Sequence, residues 1–195
     1  MREISPSPIL SVEEYVRRSP TERKVAIDRV CKEKNAGTRS WPSGTLIDGS
    51  ALLTAERRRS LLDKVGSLVD ENVCGRSDMC LQFALLLERA LTYMGLPARA
   101  VGGTAIYFDV DGNEIHRWDH AWVRVGDEVV DGNVDYLAEN PTIPPQVRVC
   151  PYWGPVKLVP GDRRLREDRS VDLLTDSDVD DIWWPELKAW IDSTA

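Results

Sequence analysis

The segment from Ser77 to Met94 constrains the fold most, because apolar side chains would surround most of a helix built from it. Those side chains are Leu81, Phe83, Ala84, Leu85, Leu86, Leu87, Ala90, Leu91 and Met94. A helix that is apolar nearly all round lies at the centre of a domain. Ser77 or Asp78 is suited to cap its start, and Gly95 is suited to end it. The segment therefore predicts a central helix.

The chain before this helix predicts further helices. Capping-box spacing occurs at Ser11–Glu14 and again at Ser19–Glu22. The second of these two helices is expected to end near Lys34, and residues 36–53 are typical of a loop. Thr54 then begins a helix with one apolar face. That face consists of Leu61, Leu62, Val65, Leu68 and Val69.

The pattern after the central helix changes to the alternation of β-strands. Residues 98–108 and 115–125 predict two strands joined by a turn-rich loop. A third strand, over about 128–134, follows the two-residue turn Gly126-Asp127. Helices first and then an antiparallel sheet indicate an α+β fold, with the central helix packed on the sheet.

The C-terminal part is rich in proline, with short strand-like pieces at 147–150 and 156–159. It ends in a predicted helix whose apolar residues are Trp183, Trp184, Leu187, Trp190 and Ile191. We interpret the chain as one domain, in which 1–53 is an N-terminal helical extension and 54–140 is the core. Residues 141–195 are expected to pack on that core.

Composition excludes several classes of partner and cofactor. Residues 109–195 carry 19 acidic against 9 basic side chains, which argues against nucleic acid. No apolar stretch is long enough to span a membrane, and the N-terminus lacks a secretory signal, so we expect a cytoplasmic protein without a membrane partner. The four cysteines contain no Cys-x-x-Cys pair, and we expect free thiols with no metal and no cofactor. Nothing in the sequence indicates an oligomeric state.

Cys80 and His120 are the residues best placed for chemistry. Cys80 lies near the start of the central helix, where the helix dipole favours a thiolate. His120 lies on the second strand, where alternation places His116, Trp118 and Trp122 on the same face. A thiolate nucleophile with a histidine base is the arrangement of cysteine-dependent catalysis.

A third group is needed to orient the imidazole of His120. If Gly126-Asp127 forms a type II′ turn, Asp131 lies diagonally from His120 on the same face. In this register Asn133 lies directly opposite His120, whereas Asp135 falls further along. Asp131 is the preferred candidate, with Asn133 and Asp135 as alternatives, and a one-residue slip would overturn this assignment.

These residues also resemble those of the transglutaminase-like superfamily. Residues 80–99 resemble its helix, which opens on the nucleophilic Cys and ends in a Gly-Ile-Pro-Ala-Arg motif, here Gly95-Leu-Pro-Ala-Arg99. His120-Ala-Trp-Val-Arg-Val125 resembles the strand that carries the histidine, and Val129-Val-Asp-Gly132 the segment that ends in the catalytic aspartate. The resemblance covers about residues 74–135 and implies a papain-like core with a Cys80, His120 and Asp131 triad.

The implied activity is acyl transfer from an amide or thioester through a thioester on Cys80. The substrate is then a peptide, a protein or a small acyl compound, and the acceptor, water or an amine, stays open. Two alternatives are a catalytically silent peptide- or protein-binding domain and an arylamine acetyltransferase-like enzyme.

Several further residues have secondary roles in this hypothesis. Cys74 is better suited to a resolving thiol than to a nucleophile, and a buried thiol without chemistry is the simpler interpretation. His116 is an alternative base, although its place after the hairpin loop favours exposure to solvent. The backbone N–H of Cys80 is the first oxyanion donor, and Gln82, Trp118 or a residue of the N-terminal region is a candidate for the second.

Overall fold

The computed structural model describes residues 20–71, 75–141, 143–168, 173 and 177–194. The helix predicted around Ser11–Glu14 therefore lies outside the described residues. The described part is a mixed α/β structure in which helices pack on a six-stranded sheet. None of its helices combines the length and the apolar character needed to cross a bilayer.

The α-helices lie close to where the sequence predicts them. Their bounds are α1 Pro20–Ala36, α2 Ala55–Val69, α3 Cys80–Tyr93 and α4 Trp184–Ser193. Thr54 caps α2 as predicted, since its hydroxyl accepts a hydrogen bond from the N–H of Arg57 at 3.2 Å. One turn of π-helix, Asp178–Trp183, leads directly into α4.

The sheet is mixed rather than purely antiparallel. Its strands are β1 Ile47–Asp48, β2 Ala98–Phe108, β3 Glu114–Val125, β4 Glu128–Asp131, β5 Tyr152–Pro155 and β6 Arg163–Glu167. They are arranged in the order β1-β5-β4-β3-β2-β6. The pair β1 and β5 is parallel and the other neighbours are antiparallel. The prediction of an antiparallel sheet is therefore wrong for β1, which comes from the segment predicted to be a loop.

Three predicted strand segments differ from the structure. The third strand ends at Asp131 instead of reaching 134, because a 3₁₀ turn begins at Val134. Residues 147–150 are not a strand, and Val156–Leu158 is a 3₁₀ turn. The strand of this region is β5, which ends where the second piece was predicted to begin.

The described core contains three clusters of buried side chains, and the two larger ones form layers on opposite faces of the sheet. The larger layer packs α2, α3 and α4 against Ala121, Val123 and Val125 of β3. The smaller layer covers the opposite face and contains Ala105 and Tyr107 of β2. Its other buried members come from the chain after β4: Val134, Leu137, Ile143, Val147 and Val149. The face of β3 that carries His120 is therefore covered by the C-terminal half of the chain.

A buried ion network ties α1 and α2 to the turn after β4. The guanidinium of Arg39 bonds the carboxylates of Asp70, Glu139 and Glu33. It also lies 4.5 Å from the ring centroid of Tyr136. The side chains of Arg39, Asp70 and Glu139 are at most 7% exposed, so the network lies inside the protein.

Candidate active site

Three of the residues singled out by sequence meet in the structure. Cys80 is the first residue of α3, His120 lies in β3, and Asp131 is the last residue of β4. His120 Nε2 lies 2.8 Å from Asp131 Oδ1, and the thiol of Cys80 interacts with the ring of His120. The side chains of His120 and Asp131 are each 1% exposed, whereas Cys80 is half-buried.

Cys80 is the first residue of α3, whereas the predicted helix begins three residues earlier, at Ser77. The helix is preceded by Met79, which makes no side-chain cap, so the predicted capping by Ser77 or Asp78 is wrong. Asp78 adopts a left-handed conformation, with φ of 58°, and its carboxylate accepts a hydrogen bond from Asn140 Nδ2 at 2.7 Å. Since first-turn N–H groups have no acceptor within a helix, the amide of Cys80 lies at the positive end of α3.

The two ring nitrogens of His120 have different surroundings. Nε2 is bonded to Asp131, while Nδ1 is buried without a conventional hydrogen-bond partner. Because Nε2 is occupied, Nδ1 is the nitrogen left to face the thiol of Cys80. Asp131 therefore holds the imidazole at Nε2 and leaves Nδ1 for the thiol.

The electrostatics of the three groups favour an ion pair. Burial alone would raise the pKa of the Cys80 thiol, but the hydrogen bond and charge of His120, with the N–H of Ala121, lower it below its ordinary value. Burial alone would lower the pKa of His120, but Asp131 and the Cys80 thiolate raise it to about 10. Burial alone would raise the pKa of Asp131, but His120 and Arg163 lower it. The three shifts act in the same direction and favour a thiolate on Cys80 beside an imidazolium on His120.

The hairpin register explains why Asp131 is the residue that meets His120. Val125 pairs with Glu128, as predicted, and only Gly126 of the two turn residues has a positive φ, as a type II′ turn requires. Continuing this register places Asp131 diagonally from His120.

The sheet opens next to the thiol because β4 ends at Asp131. Val123 and Val125 are paired with β4, and by alternation the N–H of Ala121 points to the same side, beyond the end of that strand. This N–H is therefore available to the Cys80 sulfur, consistent with its effect on the thiol pKa. Gly132, directly after β4, allows the chain to leave the sheet here. A Cβ at this position would lie 2.6 Å from Phe83 Cε1 of α3.

Aromatic rings line β3 on both sides of His120. Trp118 stacks on the imidazole, with ring centroids 5.7 Å apart and an interplanar angle of 15°. Trp122 lies 6.0 Å away on the other side and is buried. His116 is half-buried rather than exposed, and burial lowers its pKa. The indole N–H of Trp118 donates to Tyr107 Oη at 3.4 Å and so is not directed at the thiol.

The two alternative orienting residues have partners other than His120. Asn133 Nδ2 donates to the backbone carbonyl of Arg76 at 3.0 Å. Asp135 pairs with Arg76 Nη2 at 2.6 Å, and burial, partly opposed by Arg76, raises the pKa of Asp135 to about 7. Both residues therefore support the segment that leads to Cys80.

The remaining thiols and the motif arginine lie outside this cluster. Cys31 is exposed on α1, Cys150 is half-buried, and Cys74 lies outside the described residues. Arg99 forms an exposed ion pair with Glu167 at 2.6 Å. In the part of the chain that the structure describes, no three His, Cys, Asp or Glu side chains come together as a metal site.

One residue of the site was missed by sequence reasoning. Arg163, the first residue of β6, donates from Nη1 to Asp131 Oδ2 at 2.8 Å. It lies 32 residues from Asp131 in a segment without a recognisable motif. The sequence signal was no more than an arginine within residues 141–195, the region expected to pack on the core.

Comparison of the chain with protein-family models, with curated proteins and with solved structures found no match.

Proposed function

We propose that this chain is a cysteine-dependent acyl-transfer enzyme with a papain-like, transglutaminase-type core. The observation that carries the proposal is the contact series from the Cys80 thiol through His120 to Asp131 Oδ1, with the thiol on the first residue of a helix. Each contact favours a thiolate, which is the reactive form of cysteine. A buried cysteine without chemistry needs neither an imidazole nor a buried carboxylate beside it.

The proposed reaction proceeds in two steps. The Cys80 thiolate attacks the carbonyl carbon of an amide or thioester, and the bond to the leaving amine or thiol breaks while His120 donates a proton to that group. The acyl group is then held as a thioester on Cys80. His120 next removes a proton from water or an amine, which attacks the thioester and releases an acid or a new amide.

The roles of the other groups follow from their positions. Asp131 holds the imidazole in the orientation that leaves Nδ1 toward the thiol and stabilises its charged form. The N–H of Cys80 at the start of α3 is the proposed first donor to the oxyanion. Trp118, stacked on His120 and half-buried, is the proposed wall of the groove in which the acyl group lies.

Covalent trapping tests this proposal. Wild-type protein and Cys80→Ala are incubated with a p-nitrophenyl ester or an aryl thioester, and intact mass and peptide mapping locate the acyl group. The expected result is one acyl adduct, on Cys80 of the wild type only. Cys31 and Cys150 serve as internal references, and acylation of Cys80 no faster than theirs contradicts the proposal.

The same trapped species identifies the acceptor. Adding a fluorescent primary amine to the acylated protein yields a fluorescent amide if Cys80 transfers to amines. Loss of the adduct without amide indicates hydrolysis. A purely binding domain forms no adduct with either donor, and an arylamine acetyltransferase-like enzyme accepts acetyl groups from acetyl-CoA.

A further inference from the structure

All three nitrogens of the Arg163 guanidinium are hydrogen-bonded, one of them to Asp131 of the candidate triad. Its Nη1 bonds Asp131 Oδ2 at 2.8 Å, and its Nη2 bonds the backbone carbonyl of Cys150 at 2.6 Å. Its Nε bonds Asp162 Oδ1 at 2.9 Å. The Arg163 side chain is 0% exposed, so this charge is withdrawn from water and neutralised by two carboxylates.

The carboxylate of Asp131 is thereby held through both of its oxygens. Oδ1 accepts from His120 and Oδ2 accepts from Arg163. Rotation of the carboxylate would lengthen both bonds, so its plane is fixed relative to the imidazole. Two cationic partners also keep this fully buried group ionised, whereas burial alone favours its neutral form.

The effect of Arg163 reaches the nucleophile through two contacts. An ionised and oriented Asp131 favours the imidazolium form of His120, and the imidazolium favours the thiolate of Cys80. Two further ionisable groups lie at this point: Asp162, which is bonded to Arg163, and the buried Tyr107 of β2, which interacts with Asp131 and Arg163.

We propose that Arg163 is a positioning residue that holds Asp131 toward His120, so that the working unit has four members instead of three. The proposal rests on the proposed function, because Asp131 matters to chemistry only if Cys80 is a nucleophile. A purely structural arginine, which only ties β6 and the Cys150 carbonyl to the sheet, would affect stability but not the reactivity of the thiol.

The test measures the rate of Cys80 alkylation by iodoacetamide from pH 5 to 10 in Arg163→Gln, with turnover of the acyl donor measured beside it. We expect a loss of about tenfold or more at neutral pH, smaller than the 10²–10⁴-fold of a direct acid–base group. We also expect the alkylation profile to move to higher pH. Arg166→Gln, at an exposed arginine three residues away on β6, is the charge-matched control and keeps the wild-type profile.

Two further variants separate positioning from folding. Arg163→Lys keeps the charge but cannot reach all three partners at once, so its rate should lie between those of wild type and Arg163→Gln. In Asp131→Asn, adding Arg163→Gln should change the alkylation rate little further. Arg163 is proposed to act on the thiol through the Asp131 carboxylate, which this variant no longer has. Circular dichroism and thermal unfolding identify which variants are folded.

The outcomes are distinguishable. Wild-type alkylation profiles in folded Arg163→Gln and Arg163→Lys overturn the role of Arg163 while leaving the triad intact. If Arg163→Gln does not fold, a wild-type profile in folded Arg163→Lys has the same meaning. A wild-type Cys80 that reacts no faster than Cys31 overturns the proposed function itself.

Discussion

Asp131 and His120 form a 2.8 Å hydrogen bond between two neighbouring strands, at the point where one of the strands leaves the sheet. The bond joins diagonal positions of a hairpin, so its geometry depends on the register set by the turn at Gly126. Ending β4 at Asp131 exposes the edge of β3 to the start of α3. The same local feature therefore orients the imidazole and makes room for the thiol.

Removing the charge of Asp131 tests this relationship directly. Asp131→Asn keeps the size of the side chain but no longer favours the imidazolium of His120. We expect turnover of the acyl donor to fall by about 10²–10⁴-fold, because His120 without its orienting carboxylate loses much of its acid–base contribution. Steady-state turnover and the rate of Cys80 acylation are the measurements.

Two further variants complete this experiment. Asp111→Asn, at the exposed tip of the hairpin loop, removes the same charge away from the site and should leave turnover unchanged. Asn133→Ala tests the alternative assignment, in which Asn133 instead of Asp131 orients His120. In the structure Asn133 bonds the backbone carbonyl of Arg76. Wild-type turnover in Asp131→Asn, together with a large loss in Asn133→Ala, would transfer the orienting role to Asn133.

The pH dependence of Cys80 alkylation follows from the directions of the pKa shifts. In the wild type, the pKa of Cys80 is lowered, so alkylation should rise through an inflection below about 8.5, the ordinary value for a thiol. His120→Asn removes the cation and leaves burial to act, so the inflection should move above that value. Iodoacetamide rates at Cys80, read by peptide mapping, measure both profiles. An unchanged inflection in His120→Asn contradicts the ion pair.

Local sequence rules predict the part of this site that depends on local geometry. Apolar periodicity predicts α3, and strand alternation with one two-residue turn predicts the face of His120 and the diagonal position of Asp131. These features depend on residues that are close in sequence, where spacing determines which side chains meet. The bounds of β2, Ala98–Phe108, agree with the prediction for the same reason.

Long-range pairing accounts for what the sequence did not predict. The parallel pair of β1 and β5 brings Ile47 beside Tyr152, and no local pattern encodes such a pairing. Arg163 reaches Asp131 although β6 pairs with β2 and two strands separate β6 from β4, and no local pattern encodes this contact. The start of α3 was predicted too early because Ser77 and Asp78 are good capping residues, whereas the left-handed backbone of Asp78 ends the preceding turn.

The Arg39 network is expected to dominate the stability of the N-terminal part of the described chain. Arg39→Met leaves the buried carboxylates of Asp70 and Glu139 without their shared cation. We expect the free energy of unfolding to fall by about 3–5 kcal/mol, as for other broken buried ion pairs. Arg99→Met, which breaks the exposed pair with Glu167, should cost less than about 1 kcal/mol. Urea denaturation measures both, and equal losses would contradict the buried network.

Gly132 is expected to be intolerant of any side chain, because the ring of Phe83 occupies the space. In Gly132→Ala the new Cβ would lie 2.6 Å from Phe83 Cε1 and 3.1 Å from Leu62 Cδ2, so α3 or the end of β4 must shift. Overpacking of this kind costs about 1–3 kcal/mol of unfolding free energy. A shift of β4 also moves Asp131 relative to His120, so turnover should fall together with stability.

Gly161→Ala, which meets nothing within 4 Å, is the control and should change stability by no more than about 0.5 kcal/mol. Adding Phe83→Leu to Gly132→Ala should restore part of the turnover by relieving the contact. Wild-type stability in Gly132→Ala would contradict the close approach of α3 to the end of β4.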